Sequence, residues 1–216
     1  RAEDFASLEC INFSGGVISR ELLGKLDRLS AGYVCTCFGS TETCIGVVFS
    51  EPDLDLDTLS VSVGRPIRDD VRVAKENGEL CGEGEIGEFQ VKPDFTMVGY
   101  FNRPEATADA FCDDGWLKTG DLVEVLPSGD FKFSARVSDM FKSGGYNVYP
   151  REVELVLEQH PAISSAAVVG VPDEFYGELG HAYLQLENGT SLDASVLKDW
   201  CKYSLSNYKV PKVFEV

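Results

Sequence analysis

Hydrophobic positions along the chain change their spacing twice. In the first sixty residues, Cys10–Phe13 and Tyr33–Cys37 are short apolar runs of strand length. Between them Leu22, Leu23, Leu26 and Leu29 recur at helical spacing, with Ser19 placed to cap the helix. Strand, helix, strand makes a βαβ unit and predicts a parallel sheet. Two parallel strands cannot cover both their faces. The rest of that sheet is therefore expected from an N-terminal portion of the protein ahead of Arg1, or from a partner chain.

From Val61 to Ala135 the period drops to two. Val71/Val73, Phe89/Val91 and Phe131/Phe133/Ala135 alternate. Turn signals separate them at Asn77-Gly78, Gly82-Glu83-Gly84, Asp114-Gly115 and Pro127-Ser128-Gly129. The expectation is a small antiparallel barrel or sandwich. From Met140 onward helix and strand patterns mix. Pro150 opens a helix with Val153, Val156 and Leu157 on one face. Ala166–Val171 and Ala182/Leu184/Leu186 read as strands. Thr190 and Asp193 fit a capping box before a helix burying Leu192, Val196 and Trp200. The fold class is α/β, then β, then α+β. The boundaries are 1–60 for the end of a large α/β subdomain, 61–135 for the β subdomain and 140–216 for an incomplete α+β domain.

Composition narrows the class of function. The chain has 216 residues, Lys+Arg 19 against Asp+Glu 36, a net charge of −17, and 44% hydrophobic residues. That is globular, with length enough for a core. The acidic balance argues against a nucleic-acid partner, since phosphate backbones need a basic face. No apolar run nears the roughly 20 residues of a membrane helix, and no signal segment opens the chain. Seven Cys without framework spacing predict a reduced, intracellular and cytoplasmic setting.

Two loops lie at the carboxyl ends of the two parallel strands, Ser14-Gly15-Gly16 and Phe38-Gly39-Ser40-Thr41-Glu42-Thr43. Ligands of open α/β sheets bind at that edge. Small residues admit a flat ligand to the backbone. Hydroxyls hold phosphate, and a carboxylate can hold Mg²⁺ whose shell phosphate oxygens complete. On loop chemistry alone, two ordinary strand-to-helix turns remain an equal alternative.

Four motifs decide between these readings. Phe38-Gly39-Ser40-Thr41-Glu42 resembles the Tyr-Gly-x-Thr-Glu signature of the adenylate-forming superfamily. Gly87-Glu88-Phe89 and Gly99-Tyr100-Phe101-Asn102-Arg103-Pro104-Glu105-Ala106-Thr107 follow in that family's order. Then come Gly115-Trp116-Leu117-Lys118-Thr119-Gly120-Asp121-Leu122 and the stretch from Arg136 to Glu154 containing Ser143-Gly144-Gly145-Tyr146-Asn147-Val148-Tyr149-Pro150-Arg151-Glu152. The resemblance covers nearly the whole chain. It implies a carboxylic acid attacking the α-phosphate of Mg-ATP to give acyl-AMP, which a thiol, usually that of CoA, converts to a thioester. Neutralised phosphates and an in-line nucleotide are what such chemistry needs.

The resemblance also implies roles. Asp121 accepts hydrogen bonds from the ribose hydroxyls, and Arg136 contacts ribose and phosphate with a guanidinium suited to paired oxygens. Thr41 and Ser40 touch phosphate, Glu42 holds Mg²⁺, and Asn147 joins Thr41 and Glu42 among the catalytic positions. Gly15 and Gly16 border the adenine. Phe38, in place of the common Tyr, stacks on it, and Phe133 is a second apolar contact. Gly39, Cys37 and Cys44 line the acyl pocket. The hinge of a rotating C-terminal domain falls in 136–139, on Ser138, where the family has Asp or Lys, with Asp139 beside it. Gly144 and Gly145 border a pantetheine tunnel, and Tyr176, Tyr208 and Lys212 meet CoA. For the last three a plain solvated surface is the competing reading.

Other residues read as structural. Cys35, Cys37 and Cys44 lack a neighbouring His or carboxylate set of metal spacing. His160 and His181 sit in no triad pattern, and Asp53–Asp57 reads as a solvated loop. The family's phosphate loop is expected ahead of residue 1, and its adenylating Lys just beyond Val216. The chain alone is therefore expected to be an incomplete catalyst. The Ser143–Glu154 stretch favours acid:CoA ligases of fatty or aryl acids. A carrier-protein-loading adenylation domain, or a non-catalytic nucleotide-binding fragment, is the alternative. The decisive expectation is that Glu42, Asp121 and Arg136 converge on one mononucleotide.

Overall fold

The computed structural model describes the chain apart from residues 1–4, 6, 17, 19, 31, 45, 53, 68 and 93–95. The proposed cap Ser19, and Asp53 of the acidic loop, lie outside the described residues. The chain divides into two compact units, Arg1–Phe133 and Ser134–Val216.

In the first unit β1 (Cys10–Phe13), α1 (Arg20–Leu29) and β2 (Tyr33–Gly39) form the expected βαβ unit. β1 and β2 pair in parallel, Cys10 opposite Tyr33 and Phe13 opposite Thr36. Leu23 is fully buried, while Leu22, expected on the same face, is exposed. Two strands extend this sheet: β3 (Gly46–Phe49) and β4 (Arg65–Pro66), both antiparallel, in the order β1-β2-β3-β4. Between them α2 (Leu56–Leu59) is capped by Asp55, whose Oδ1 accepts the N–H groups of Asp57 and Thr58. Asp57 pairs with Arg20 of α1. Asp55 and Asp57 are both exposed, as expected of a solvated loop, and the Arg20–Asp57 pair is a surface contact.

The second sheet runs β5 (Val71–Ala74), β6 (Ile86–Val91), β7 (Leu117–Val125) and β8 (Phe131–Arg136), with α3 (Pro104–Ala110) before β7. It is an open antiparallel sheet, and no barrel closes among the described residues. The chain ahead of it is diverted into the first sheet. Arg65 and Pro66 pair with Phe49 and Val48, while the Val63 N–H donates to the Phe131 carbonyl and the Phe131 N–H to the Gly64 carbonyl. Gly64, at φ +98°, lets this crossing happen, because a Cβ there would lie 2.1 Å from the Phe49 carbonyl carbon. One core serves both sheets. Val48 of β3 packs with Val73, Phe89, Val91, Val123 and Phe131. Phe89 meets Phe38 and Phe131 edge-on, at centroid distances of 5.2 and 5.5 Å.

The second unit contains β9 (Phe141–Ser143), β10 (Tyr146–Val148), α4 (Pro150–Glu158), β11 (Ile163–Asp173), β12 (Gly177–Leu186), α5 (Ala194–Ser204) and β13 (Val213–Glu215). Its sheet runs β10-β9-β12-β11, and β13 adds to β12 in parallel. Pro150 is at the first helical position of α4, as expected. The exposed ladder of β11 is not left open. Glu154 Oε1 accepts the Val168 N–H at 3.0 Å, and Glu158 Oε1 the Ala166 N–H at 3.4 Å. The helix α5 departs from the expected phase. Asp193 is its cap, and the helix starts directly after it, so Leu197 and Cys201 face the core one turn apart. Val196 and Trp200 fall outside; Trp200 reaches back to donate its indole N–H to the Val156 carbonyl of α4. Thr190 bonds the Ala162 and Glu187 carbonyls instead of capping. Burial pushes the Cys201 thiol up to about 11.

Two outcomes follow from this packing. Phe89→Ala removes a fully buried ring from the shared core and is expected to cost about 3–5 kcal/mol in urea unfolding. The Ser195 hydroxyl and N–H on Asp193 hold its carboxyl below the ordinary value of 3.8. Its charge therefore stabilises the fold above the unfolded-state pKa and ceases to do so as pH falls through the depressed folded value. Asp193→Asn keeps a cap acceptor without the charge. Its thermal midpoint should lie below that of the parent at neutral pH, and the gap should close in acid below 3.8.

Candidate functional site

The parallel pairing of β1 and β2 makes both following loops leave the same edge of the sheet. Ser14-Gly15-Gly16 follows Phe13. A Cβ at either glycine would meet nothing within 4 Å, so the turn has an open side, and Gly15 has φ +84°. β2 continues through Cys37, Phe38 and Gly39 and enters a 3-10 turn at Thr41–Thr43. The turn is closed by Thr43, which is buried: its Oγ1 accepts the Ser40 N–H at 2.9 Å and donates to the Ser40 carbonyl at 3.0 Å. Thr41 is exposed and Glu42 half-buried. The chain leaves through Cys44 at φ 63°, ψ −36°, a conformation rare for a residue with a side chain.

Glu42 is held from a segment distant in sequence. The Tyr100 phenol donates to its Oε1 at 2.9 Å, and the Met97 N–H donates to its carbonyl oxygen at 2.7 Å. The Glu42 carboxylate, with burial as a lesser cause, raises the Tyr100 phenol above the ordinary tyrosine value. Tyr100 lies within the Gly99–Thr107 motif, yet its pairing with Glu42 escaped the sequence reading.

Asp121 is positioned by an irregularity in the β6–β7 ladder. Glu88 pairs with Leu122 and Gln90 with Lys118, so Phe89 alone faces Thr119, Gly120 and Asp121. The bulge is pinned at both ends. Thr119 Oγ1 donates to the Phe89 carbonyl at 2.8 Å and accepts the Asp121 N–H at 3.1 Å, and the Gly120 N–H reaches Glu88 Oε1 at 3.3 Å. Gly120 takes φ +72°. Bulges re-aim side chains beside sites; here the Asp121 residue is only 2% exposed. Phe38 is partly buried against Phe89, and Phe133 is half-buried on β8.

Cys37 lies on a row of polar and thiol groups along the β1/β2 face. Its Sγ is 3.3 Å from Asn12 Oδ1, and Asn12 Nδ2 donates to Cys35 Sγ at 3.2 Å. Cys10 and Cys35 sulfurs are 3.4 Å apart. Burial raises the Cys35 thiol above its ordinary value. All seven cysteines are free, and among the described residues no three His, Cys, Asp or Glu side chains gather as a metal cage.

The second unit holds the remaining candidates. Arg136 is exposed, and its carbonyl accepts the N–H groups of Asp139 and Met140, closing a turn around the hinge candidates. Within that turn the Ser138 hydroxyl donates to Asp139 Oδ1 at 2.8 Å. Gly144 and Gly145 form the two-residue tip of the β9–β10 hairpin, at φ +58° and +85°. Two consecutive positive φ values are what a tight hairpin turn requires. The Gly144 N–H donates to the Tyr176 carbonyl at 2.8 Å, and Asp173 Oδ1 shapes the Tyr176 loop by accepting the Phe175 and Tyr176 N–H groups. Tyr146 stacks on Tyr208 at 4.8 Å. Asn147, on β10, is exposed and pairs in register with Lys142. Gly144 and Tyr176 are therefore joined directly, with Gly145 next in the same turn, and Tyr208 meets the hairpin through Tyr146, which sequence reasoning left without a role. Lys212 is turned onto the Asn207 carbonyl at 3.2 Å. Burial, with Lys198 and Lys202 nearby, lowers its pKa.

The family model described as AMP-binding enzyme matches residues 1–101, and the one described as AMP-binding enzyme C-terminal domain matches 152–216. The chain is 38% identical over 208 residues to a 2-succinylbenzoate–CoA ligase of Bacillus licheniformis, covering 96% of this chain and 42% of that protein. It is 37% identical over 217 residues to a feruloyl-CoA synthase of Amycolatopsis, covering 100% of this chain and 43% of that one. Among solved structures, o-succinylbenzoate CoA synthetase of Bacillus subtilis, in complex with the acyl-adenylate intermediate OSB-AMP, superposes with a TM-score of 0.84 at 38% identity. That match covers 97% of this chain and 42% of the other. The glycine-edged turn, the Thr41–Glu42 turn and the bulge at Asp121 thus occur on an adenylate-forming fold. The chain belongs to the AMP-binding enzyme family. It spans about two fifths of the length of these relatives.

Gly120→Ala tests the bulge itself. No atom crowds a Cβ there, so only the left-handed backbone opposes it. Thermal or urea unfolding should show a loss of about 1–2 kcal/mol.

Proposed function

We propose that the chain is part of an AMP-forming acid:CoA ligase, which activates a fatty or aryl carboxylic acid as acyl-AMP and passes it to CoA. The observation that carries this reading is the Thr41–Thr43 turn beside the Ser14–Gly16 turn at one sheet edge, with Glu42 displayed from it, in a chain of this family. The relatives' acid:thiol ligase activities support it.

Each residue then has a physical task. Gly15 and Gly16 let the adenine approach the backbone, with Phe38 and Phe133 as apolar contacts. The bulge turns the Asp121 carboxylate to the ribose hydroxyls. Ser40 and Thr41 offer hydroxyls to phosphate, and Arg136 a planar guanidinium to phosphate and ribose. The donor set at the turn fits Mg²⁺. It consists of hard oxygen atoms from Glu42 and Thr41, and with no cage of three acidic groups among the described residues the remaining ligands fall to phosphate and water. When bound, the ion neutralises charge on the phosphates. Cys37, Gly39 and Cys44 line the acyl side. Gly144, Gly145, Tyr176, Tyr208 and Lys212 serve CoA, and Ser138 with Asp139 form the hinge of domain rotation. Asn147 completes the catalytic group with Thr41 and Glu42.

Calorimetric titration with AMP and with CoA tests the nucleotide reading. The chain should bind AMP, and Asp121→Ala should weaken that binding at least about tenfold, since a hydrogen-bonded charge contributes roughly 1.5–3 kcal/mol. No AMP binding by the parent chain would overturn the reading. In the intact protein, an acid panel should give acyl-CoA. Acyl-adenylate that transfers only to a carrier-protein thiol would favour the carrier-loading alternative.

A further inference from the structure

We propose that Tyr100 is a positioning residue for the adenylation step, its phenol holding the Glu42 carboxylate oriented for the cation that accompanies ATP. The inference rests on the reading of Glu42 as the metal-facing group and adds a residue to it.

The phenol donates to Glu42 Oε1 at 2.9 Å across 58 residues of sequence. Its support is rigid. The Tyr100 N–H donates to Thr107 Oγ1 at 2.9 Å, and that hydroxyl donates to the Arg103 carbonyl at 2.9 Å. Thr107 belongs to α3, which begins with Pro104. Gly99 presses on the same threonine so closely that a Cβ would lie 2.7 Å from Thr107 Cγ2. The Met97 N–H, at the start of the segment, holds the Glu42 carbonyl at 2.7 Å. Main chain and carboxylate of Glu42 are therefore both fixed by one strap, itself clamped to a helix.

A glutamate side chain gives up rotamer freedom when it is ordered. A donor that orders it beforehand removes that cost from the binding event. Hydrogen-bond partners of metal-ligating carboxylates act in this way, and their loss commonly lowers metal affinity about 10–100-fold. A purely structural Tyr100 would tie the strap to the turn without affecting the metal in particular.

Tyr100→Phe separates the two, because it keeps the ring and deletes only the donor. The probe is Mn²⁺ bound to the intact protein with ATP, followed by electron paramagnetic resonance, beside AMP binding in EDTA and the thermal midpoint. Mn²⁺ affinity should fall about tenfold or more, while metal-free AMP affinity and the midpoint stay near the parent values. Unchanged Mn²⁺ affinity in Tyr100→Phe, or an equal loss in metal-free AMP binding, would overturn the inference. Glu42→Gln is the control for the reading beneath it. If Glu42→Gln weakens Mn²⁺ binding and Tyr100→Phe does not, the inference alone fails. If neither does, the assignment of Glu42 fails with it.

Discussion

Phe89 is the residue on which the first unit depends. Its ring is wedged between Phe38 at the end of β2 and Phe131 at the start of β8, and it is fully buried. Its carbonyl oxygen takes the Thr119 hydroxyl opposite the bulge. The side chain thus braces the strand that delivers Thr41 and Glu42, while the main chain braces the segment that delivers Asp121. Dispersion and hydrophobic burial act through the first, directional hydrogen bonding through the second. Two candidate site segments about eighty residues apart are made to share one support.

Local pattern made part of this legible. The apolar runs around Leu23 and the alternation at Val71/Val73 reflect burial on one face, so β1, α1, β2 and β5 could be read directly. Pro150 and the Asn-Gly and Asp-Gly pairs marked ends because their backbone preferences are intrinsic. The strands β3 and β4 were not seen, since Gly46–Phe49 and Arg65–Pro66 are short and carry no alternation. The barrel expectation failed for the same reason. Nothing in residues 63–66 announces that they cross to another sheet. In α5 the expected capping box placed the cap at Thr190, three residues before the actual cap Asp193, and Val196 and Trp200 suggested a buried face that the actual starting point rotates to solvent.

At the candidate site, the family motifs supplied positions without supplying partners. Glu42 and Tyr100 both lie in motifs, yet their bond spans a separation at which sequence periodicity carries no information. Thr119 is similar. Its hydroxyl is written inside the Trp116–Leu122 motif, but its role appears only once the ladder is seen to slip. In the second unit the hairpin tip at the glycine pair and the Tyr146–Tyr208 stack both required the fold. Residue types reveal chemistry and turns; long-range pairing assigns which group orients which.

Cys44 carries a further implication. It sits two residues beyond Glu42 in a left-hand-side conformation that a glycine would adopt at little expense. Selection for robustness alone would favour glycine there. A side chain in its place carries a backbone cost that glycine would avoid, stored in the turn that displays Glu42. Backbone relaxation at Cys44 and the shape of that turn are therefore one and the same variable.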